Sequence, residues 1–152
     1  MPMPQEYQLA AQRFDAFVVD ARDALGLATR NQTYTVVEAV LLAFRRRLQP
    51  DEVLVFADAL PPVLRAVFVA GWDASERRPG FPDRDVLEAE VRSLRAGHNF
   101  APDGAIALIA TVLRHHVDRD RFDKAVAKLS PDAQAFWEDG HGAQGSRAGG
   151  AQ

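Results

Sequence analysis

Cysteine is absent from the 152 residues of this sequence, and other absences narrow the protein class further. Without thiols there can be no disulfide framework, no cysteine-based zinc site and no thiol nucleophile. The first residues lack the basic segment and apolar run of a secretory signal, and no apolar stretch approaches the roughly 20 residues that span a bilayer. We therefore expect a soluble, cytoplasmic protein with no membrane partner.

A large excess of one charge sign is also missing, since the formal net charge is only -3 at pH 7. This balance argues against a global attraction to nucleic acid or anionic lipid, so a nucleic-acid partner is disfavoured. The hydrophobic content of 47% is ample in comparison. A chain of this length and composition can bury the core of one domain without disulfides or metals.

Apolar residues recur at helical spacing along nearly the whole chain, while the alternating runs of a half-buried strand are missing. Residue types that start or stop helices divide this pattern: a left-handed cap at Gly26, a capping box of Thr35 and Glu38, a break at Pro61-Pro62, an N-cap at Asp118 and a start at Ser130-Pro131. We predict an all-α protein, a compact helical bundle of about seven to eight helices.

The helical pattern repeats at an offset of 69 residues, which superposes Val37 on Ile106, Phe44 on Leu113, Asp51 on Asp120, Leu60 on Leu129 and Phe68 on Trp137. Helical stripes match easily by chance, so the ungapped agreement of helix starts and stops carries more weight. Each half has too few helices to close a core alone. The sequence predicts one domain at 1–138, with pseudo-repeated halves at about 5–72 and 82–138, and a flexible Gly-rich tail at 139–152.

Two stretches carry a resemblance to a known family. They are Ala39-Val40-Leu41 with Arg47-Leu48 and Phe56-Ala57-Asp58-Ala59-Leu60-Pro61, and, in the second half, Val112-Leu113 with Val126-Ala127-Lys128-Leu129-Ser130. The pattern resembles the uncharacterised bacterial family called domain of unknown function 2267 over roughly Phe14 to Glu138. In the second half Lys-Leu-Ser stands where the first has Asp-Ala-Leu-Pro. The resemblance implies a helical fold and supplies no catalytic residue or known activity.

The basic run Arg45-Arg46-Arg47 invites a nucleic-acid or phosphate interpretation. Consecutive helical residues step about 100° each, however, so these side chains fan out instead of forming one patch. Cations at a helix C-terminus also oppose the negative end of the helix dipole, which explains them without a ligand. Arg45 and Arg46 remain possible interface residues.

The adjacent pair His115-His116 is a candidate metal site. Chelating histidines usually stand four residues apart on one helix face, whereas neighbours point in different directions. Asp120 is near enough in sequence to serve as a charge partner for His116. His98 in a turn and His141 in the tail are plain loop residues in the same interpretation, and we expect no metal or cofactor.

Carboxylates cluster at Asp83, Asp85 and Glu88 and again at Asp118, Asp120 and Asp123. Both clusters lie where helix N-termini favour negative charge, and neither shows the cleft that acid–base catalysis requires. The serines lack a nucleophile-elbow or Ser-x-x-Lys context. We predict no catalytic residue and no enzyme activity.

Trp72 and Trp137 each end a short helix. They are either lids on the core or aromatic anchors at an interface, because an exposed tryptophan is costly unless it is used. Both are retained as possible interface residues.

By elimination we predict a non-enzymatic helical interaction or regulatory module that binds a protein partner or a second copy of itself in a groove between the halves. The alternative is a small-ligand binding or carrier domain with a pocket between the halves, and nucleic-acid binding is third. An apolar groove would favour the first, and a closed cavity above roughly 300 Å³ the second. One face gathering Arg13, Arg22, Arg45 and Arg46 would favour the third.

Overall fold

Helices make up all of the regular secondary structure in residues 1–138, the part of the chain that this computed structural model describes. In chain order they are α1 (Gln5–Gln8), α2 (Ala10–Leu25), α3 (Arg30–Arg45), α4 (Pro50–Asp58), α5 (Pro62–Val69), α6 (Arg84–Ser93), α7 (Ala105–Arg114), α8 (Arg119–Ala127) and α9 (Pro131–Phe136), with a 3-10 turn at Ala96–His98. The all-α fold is confirmed. This range holds one α-helix more than the upper predicted number, because the first helix is interrupted at Leu9, which separates α1 from α2. The tail predicted at 139–152 lies outside the described residues.

Most helix boundaries coincide with the local signals in the sequence. Gly26 ends α2 in the left-handed conformation, with a φ of 68° that a residue without a Cβ adopts easily. Asp118 accepts a hydrogen bond from the Arg121 amide at 3.2 Å and begins α8. Ser130 accepts one from the Ala133 amide at 3.3 Å and begins α9. These predictions are confirmed.

The start predicted for the long second helix is wrong, because the observed N-cap, Thr29, precedes the predicted one, Thr35, by six residues. α3 begins at Arg30, where Thr29 accepts a hydrogen bond from the Gln32 amide at 3.1 Å and the Gln32 side chain accepts one from the Ala28 amide at 3.1 Å. Thr35 lies inside the helix, buried, and its hydroxyl donates to the Asn31 carbonyl. The helix begins at the earlier position because this start buries a further helical turn, and the Thr35 hydroxyl still has a hydrogen-bond partner.

Six aromatic rings form the centre of the core. Three of them come from the first half and three from the second: Phe44, Phe56, Phe68, Phe122, Phe136 and Trp137. The Phe44 and Phe136 ring centroids are 4.9 Å apart, and those of Phe56 and Trp137 are 5.2 Å apart. Because offset and edge-to-face contacts between aromatic rings add to the free energy gained by burial, this cluster joins the two halves at their centre.

Helix packing also crosses between the halves. α2 packs against α7, and α3 packs against α6. The offset of 69 residues carries the end of α3 at Arg45 onto the end of α7 at Arg114. It also carries α4 exactly onto α8. These coincidences support the internal repeat, which stays a hypothesis.

Candidate binding cleft between the two halves

A cleft of about 530 Å³ opens where the N-terminal helices and the turn between α4 and α5 face the connection between α7 and α8. It is therefore lined by both predicted halves. Its walls consist of Glu6, Arg13, Ala16, Ala59, Leu60, Pro61, Pro62, His115, His116, Val117, Asp118 and Arg121. The volume is in the range of sites that take a small molecule or the side chains of a partner.

One wall is fixed by a hydrogen bond between the halves. The Nε2 atom of His116, after the end of α7, is 2.6 Å from the Asp20 carboxylate on α2. The His116 ring also meets Phe17 edge to face, with the ring centroids 5.6 Å apart. The sequence predicted Asp120 as the partner of His116, and this prediction is wrong. Because α2 packs along α7, the carboxylate that contacts the imidazole is that of Asp20.

Several charged groups in the cleft already have a partner within the protein. Arg121 donates to the Asp58 carbonyl at 2.7 Å and is 3.7 Å from its carboxylate. Asp118 is engaged as the cap of α8. In contrast, the side chains of Glu6, Arg13 and His115 make no hydrogen bond or ion pair to other side chains within residues 1–138. The cleft thus presents one carboxylate, one guanidinium and one imidazole to whatever occupies it.

Arg45, a predicted interface candidate, is buried, with only 8% of its surface exposed. Its guanidinium donates to the carbonyls of Phe68 at 3.1 Å and Ala70 at 2.9 Å, at the C-terminal end of α5. Burial lowers the pKa of Arg45, and the charge of Glu76 partly opposes that shift. Arg45 therefore links the end of α3 to the end of α5, and its guanidinium is engaged inside its own half.

Arg46 and Arg47 both reach α6. Arg46 is exposed and pairs with Glu90, while Arg47 lies 2.6 Å from the other Glu90 oxygen and donates to the Ala43 carbonyl at 2.7 Å. Arg45 therefore reaches α5, whereas Arg46 and Arg47 converge on one carboxylate of α6. With Arg22 paired to Asp23 and Arg13 in the cleft, the arginines do not gather on one face.

The two tryptophans lie in different surroundings. Trp137 is fully buried among the core phenylalanines, as one of the six central rings, and is not available as an exposed anchor. Trp72 is half-buried and packs against the edge of the core. Neither side chain lines the cleft.

Glu88 was predicted to serve the N-terminus of its own helix, and the structure assigns it to another helix. Glu88 is buried on α6, and its Oε1 atom accepts a hydrogen bond from the Ile106 amide at 3.3 Å, in the first turn of α7. Burial raises the pKa of Glu88, although the Ile106 amide and the charges of Arg84 and Arg92 partly oppose the shift. The carboxylate holds α7 in place beneath α6.

No group of three histidine, aspartate or glutamate side chains within the described range is arranged to hold a metal ion. His141 of the predicted tail falls outside that range. Sequence reasoning identified His115 and His116 but missed the cleft around them, because Asp20 and His116 are 96 residues apart and no local pattern connects them.

Among residues 1–138, no helix is both long enough and apolar enough to cross a membrane. A search of curated proteins gives no match. The model of a family described as an uncharacterized conserved protein, DUF2267, matches residues 14–136. This range agrees closely with the extent of the resemblance in the sequence. With more than half of its residues matched, the chain belongs to the DUF2267 family.

Proposed function

We propose that this protein is a non-enzymatic binding module that takes a segment of a protein partner in the cleft between its two halves. The observation that carries the proposal is the cleft itself, an opening of about 530 Å³ whose walls come from both halves. Its open form suits a partner's loop or helix end better than an enclosed ligand.

The chemistry of the lining supports recognition more than catalysis. Arg13 and Glu6 offer charges of opposite sign that have no partner among residues 1–138, and Leu60, Pro61 and Val117 offer apolar contact. Protein interfaces commonly combine apolar and charged contacts of this kind. The lining contains no serine, threonine, cysteine or lysine, so it lacks the usual nucleophiles, and His116 is held by Asp20.

A small-ligand carrier is the second candidate, because the volume of the cleft falls within the range of small-molecule sites. The dispersal of the arginines gives no support to nucleic-acid binding.

The test fills the cleft without touching the core. Ala16 is exposed on α2 and lines the cleft, so Ala16→Trp should block it, while Ala24→Trp places the same side chain on the same helix away from it. After the melting temperatures of both variants are shown to match the native one, each protein is used to capture partners from its own cells, with quantitative mass spectrometry.

We expect a protein recovered by the native chain and by Ala24→Trp, and reduced at least about tenfold by Ala16→Trp, the loss expected when one central contact is blocked. Equal recovery by all three proteins would contradict the proposal. Native mass spectrometry of the same samples separates the second candidate, because a carrier would retain a small molecule that Ala16→Trp loses.

A further inference from the structure

A second cavity, of about 430 Å³, shares no residue with the cleft. It lies where the first turns of α3 face the connection between α6 and α7. Its lining combines one guanidinium, one imidazole and two aromatic rings with small polar groups: Asn31, Gln32, Tyr34, Thr35, Arg95, His98 and Phe100.

Arg95 has an unusual backbone. Its φ of 52° makes it the one non-glycine residue at positive φ among residues 1–138. Side chains with a Cβ disfavour this left-handed conformation, and after α2 the corresponding turn is made by Gly26. A glycine would fit the turn at Arg95 equally well. The turn alone therefore does not explain an arginine at this position.

The Arg95 side chain is also free. It is exposed, and within the described range its guanidinium makes no hydrogen bond or ion pair. Its charge does act on the cavity wall: the neighbouring Glu38 and burial raise the pKa of Tyr34, and the positive charge of Arg95 partly opposes that shift. Arg95 thus places a cation at the edge of the cavity, and the carboxylate of Glu38 also acts on the Tyr34 wall.

Aromatic rings complete the lining. Phe100 is 55% exposed, which leaves a large apolar ring in water beside this cation, and the half-buried ring of Tyr34 is the other aromatic wall. Aromatic rings pack favourably against a flat apolar group, and a guanidinium matches the two oxygens of a carboxylate.

We propose that this cavity binds a small aromatic carboxylate, with Arg95 as the partner of the carboxylate and Phe100 and Tyr34 against the ring. The proposal is independent of the function proposed for the cleft. It gives the left-handed arginine and the exposed phenylalanine one common explanation.

The test is a fluorine NMR titration of the full chain with 4-fluorobenzoate. We expect saturable binding, with a dissociation constant in the millimolar range that is usual for such a small ligand. The neutral 4-fluorobenzamide should bind at least about tenfold more weakly, because one charge-assisted pair is worth that much.

Arg95→Gly distinguishes a binding role from a structural one. It should melt at the same or a higher temperature, because glycine suits the left-handed turn, yet lose at least about tenfold in affinity for 4-fluorobenzoate. Phe100→Ala should also weaken binding. The control Arg119→Ala removes an exposed arginine on α8, outside the cavity, and should leave the affinity unchanged.

Four results would overturn the proposal: no saturable binding, equal affinity for the neutral amide, full affinity in Arg95→Gly, or full affinity in Phe100→Ala. A lower melting temperature for Arg95→Gly would overturn the argument that the side chain, and not the turn, accounts for the arginine.

Discussion

The two predicted halves pair their long helices in the same way and differ in how those helices begin. In each half the first long helix packs on the second long helix of the other half, as α2 does on α7 and α6 on α3. The halves are thus interlocked, and the six core rings come equally from both. The buried apolar residues therefore form one cluster to which both halves contribute.

A pair of arginines shows how closely the halves correspond. Arg45 donates to the Phe68 carbonyl at 3.1 Å, and Arg114 donates to the Trp137 carbonyl at 2.9 Å, with 69 residues between the equivalent members. Each arginine is the last residue of a long helix. Its guanidinium reaches the C-terminal end of the second helix that follows in the chain, α5 for Arg45 and α9 for Arg114. Both satisfy C-terminal carbonyls that would otherwise lack a partner.

The starts of the long helices differ because Pro102 and a left-handed Gly104, with a φ of 76°, precede α7. The offset would begin the second one near residue 99, but α7 begins only at Ala105. Pro102 stands where the first half has Thr33, and a proline inside a helix removes a hydrogen bond and clashes with the preceding turn. α3 is capped by its own Thr29, whereas Glu88 of α6 reaches the first turn of α7.

The largest expected effect comes from separating the halves. Fragments covering residues 1–75 and 80–138 should each fail to show a cooperative thermal melt, because each loses the helix of the other half on which its own helices pack. Circular dichroism of the separate fragments and of their mixture checks this. Independent cooperative melting of either fragment would show that a half can close a core by itself.

Core truncations at equivalent positions should come next. Phe44→Ala and Leu113→Ala should each lower the free energy of unfolding by about 2 to 5 kcal/mol. Phe44 should be the more costly, because its ring meets five other aromatic rings while Leu113 meets the core through an aliphatic side chain. Urea unfolding measures both values. A loss below about 0.5 kcal/mol at either site would contradict its place in the core.

Local chemistry explains which parts of this fold were predictable. Asp118, Ser130 and Gly26 each act on residues within one turn, so their sequence signals were sufficient. The start of α3 could not be predicted in this way, because Thr29 and Thr35 both fit a capping motif and only tertiary burial decides between them. The cleft could not be predicted, since it depends on how α2 meets the end of α7.

The two ways of starting a long helix should respond differently to pH. Burial raises the pKa of Glu88 in the native state, so there the native protein holds a proton more tightly than the unfolded chain does. Its contribution to the free energy of unfolding therefore falls as pH rises from the ordinary glutamate pKa through the raised one. Glu88→Gln should remove this part of the pH dependence, and its stability relative to the native chain should be greater at pH 7 than at pH 5.

Thr29→Ala provides the comparison in the other half. It should cost about 1 kcal/mol at every pH, because a hydroxyl cap does not titrate in this range. Asp85→Asn, an exposed carboxylate on the same helix as Glu88, is the matched control. Urea unfolding of all four proteins at pH 5 and pH 7 provides the measurement. A relative stability of Glu88→Gln that does not change with pH would contradict the burial argument.

The smallest effect concerns the left-handed turns that end α2 and α6, where the halves use different residues. Gly26 has a φ of 68° with open space around it, so in Gly26→Ala only the backbone conformation should cost free energy, about 1 kcal/mol. Arg95 has a φ of 52°, so Arg95→Gly should relieve the same strain. Its gain should stay below about 1 kcal/mol, because glycine also gives the unfolded chain more conformational freedom. Urea unfolding measures the change in the free energy of unfolding that each substitution causes. Changes of opposite sign would establish that the two turns are equivalent, while a stabilising Gly26→Ala would show that they are not.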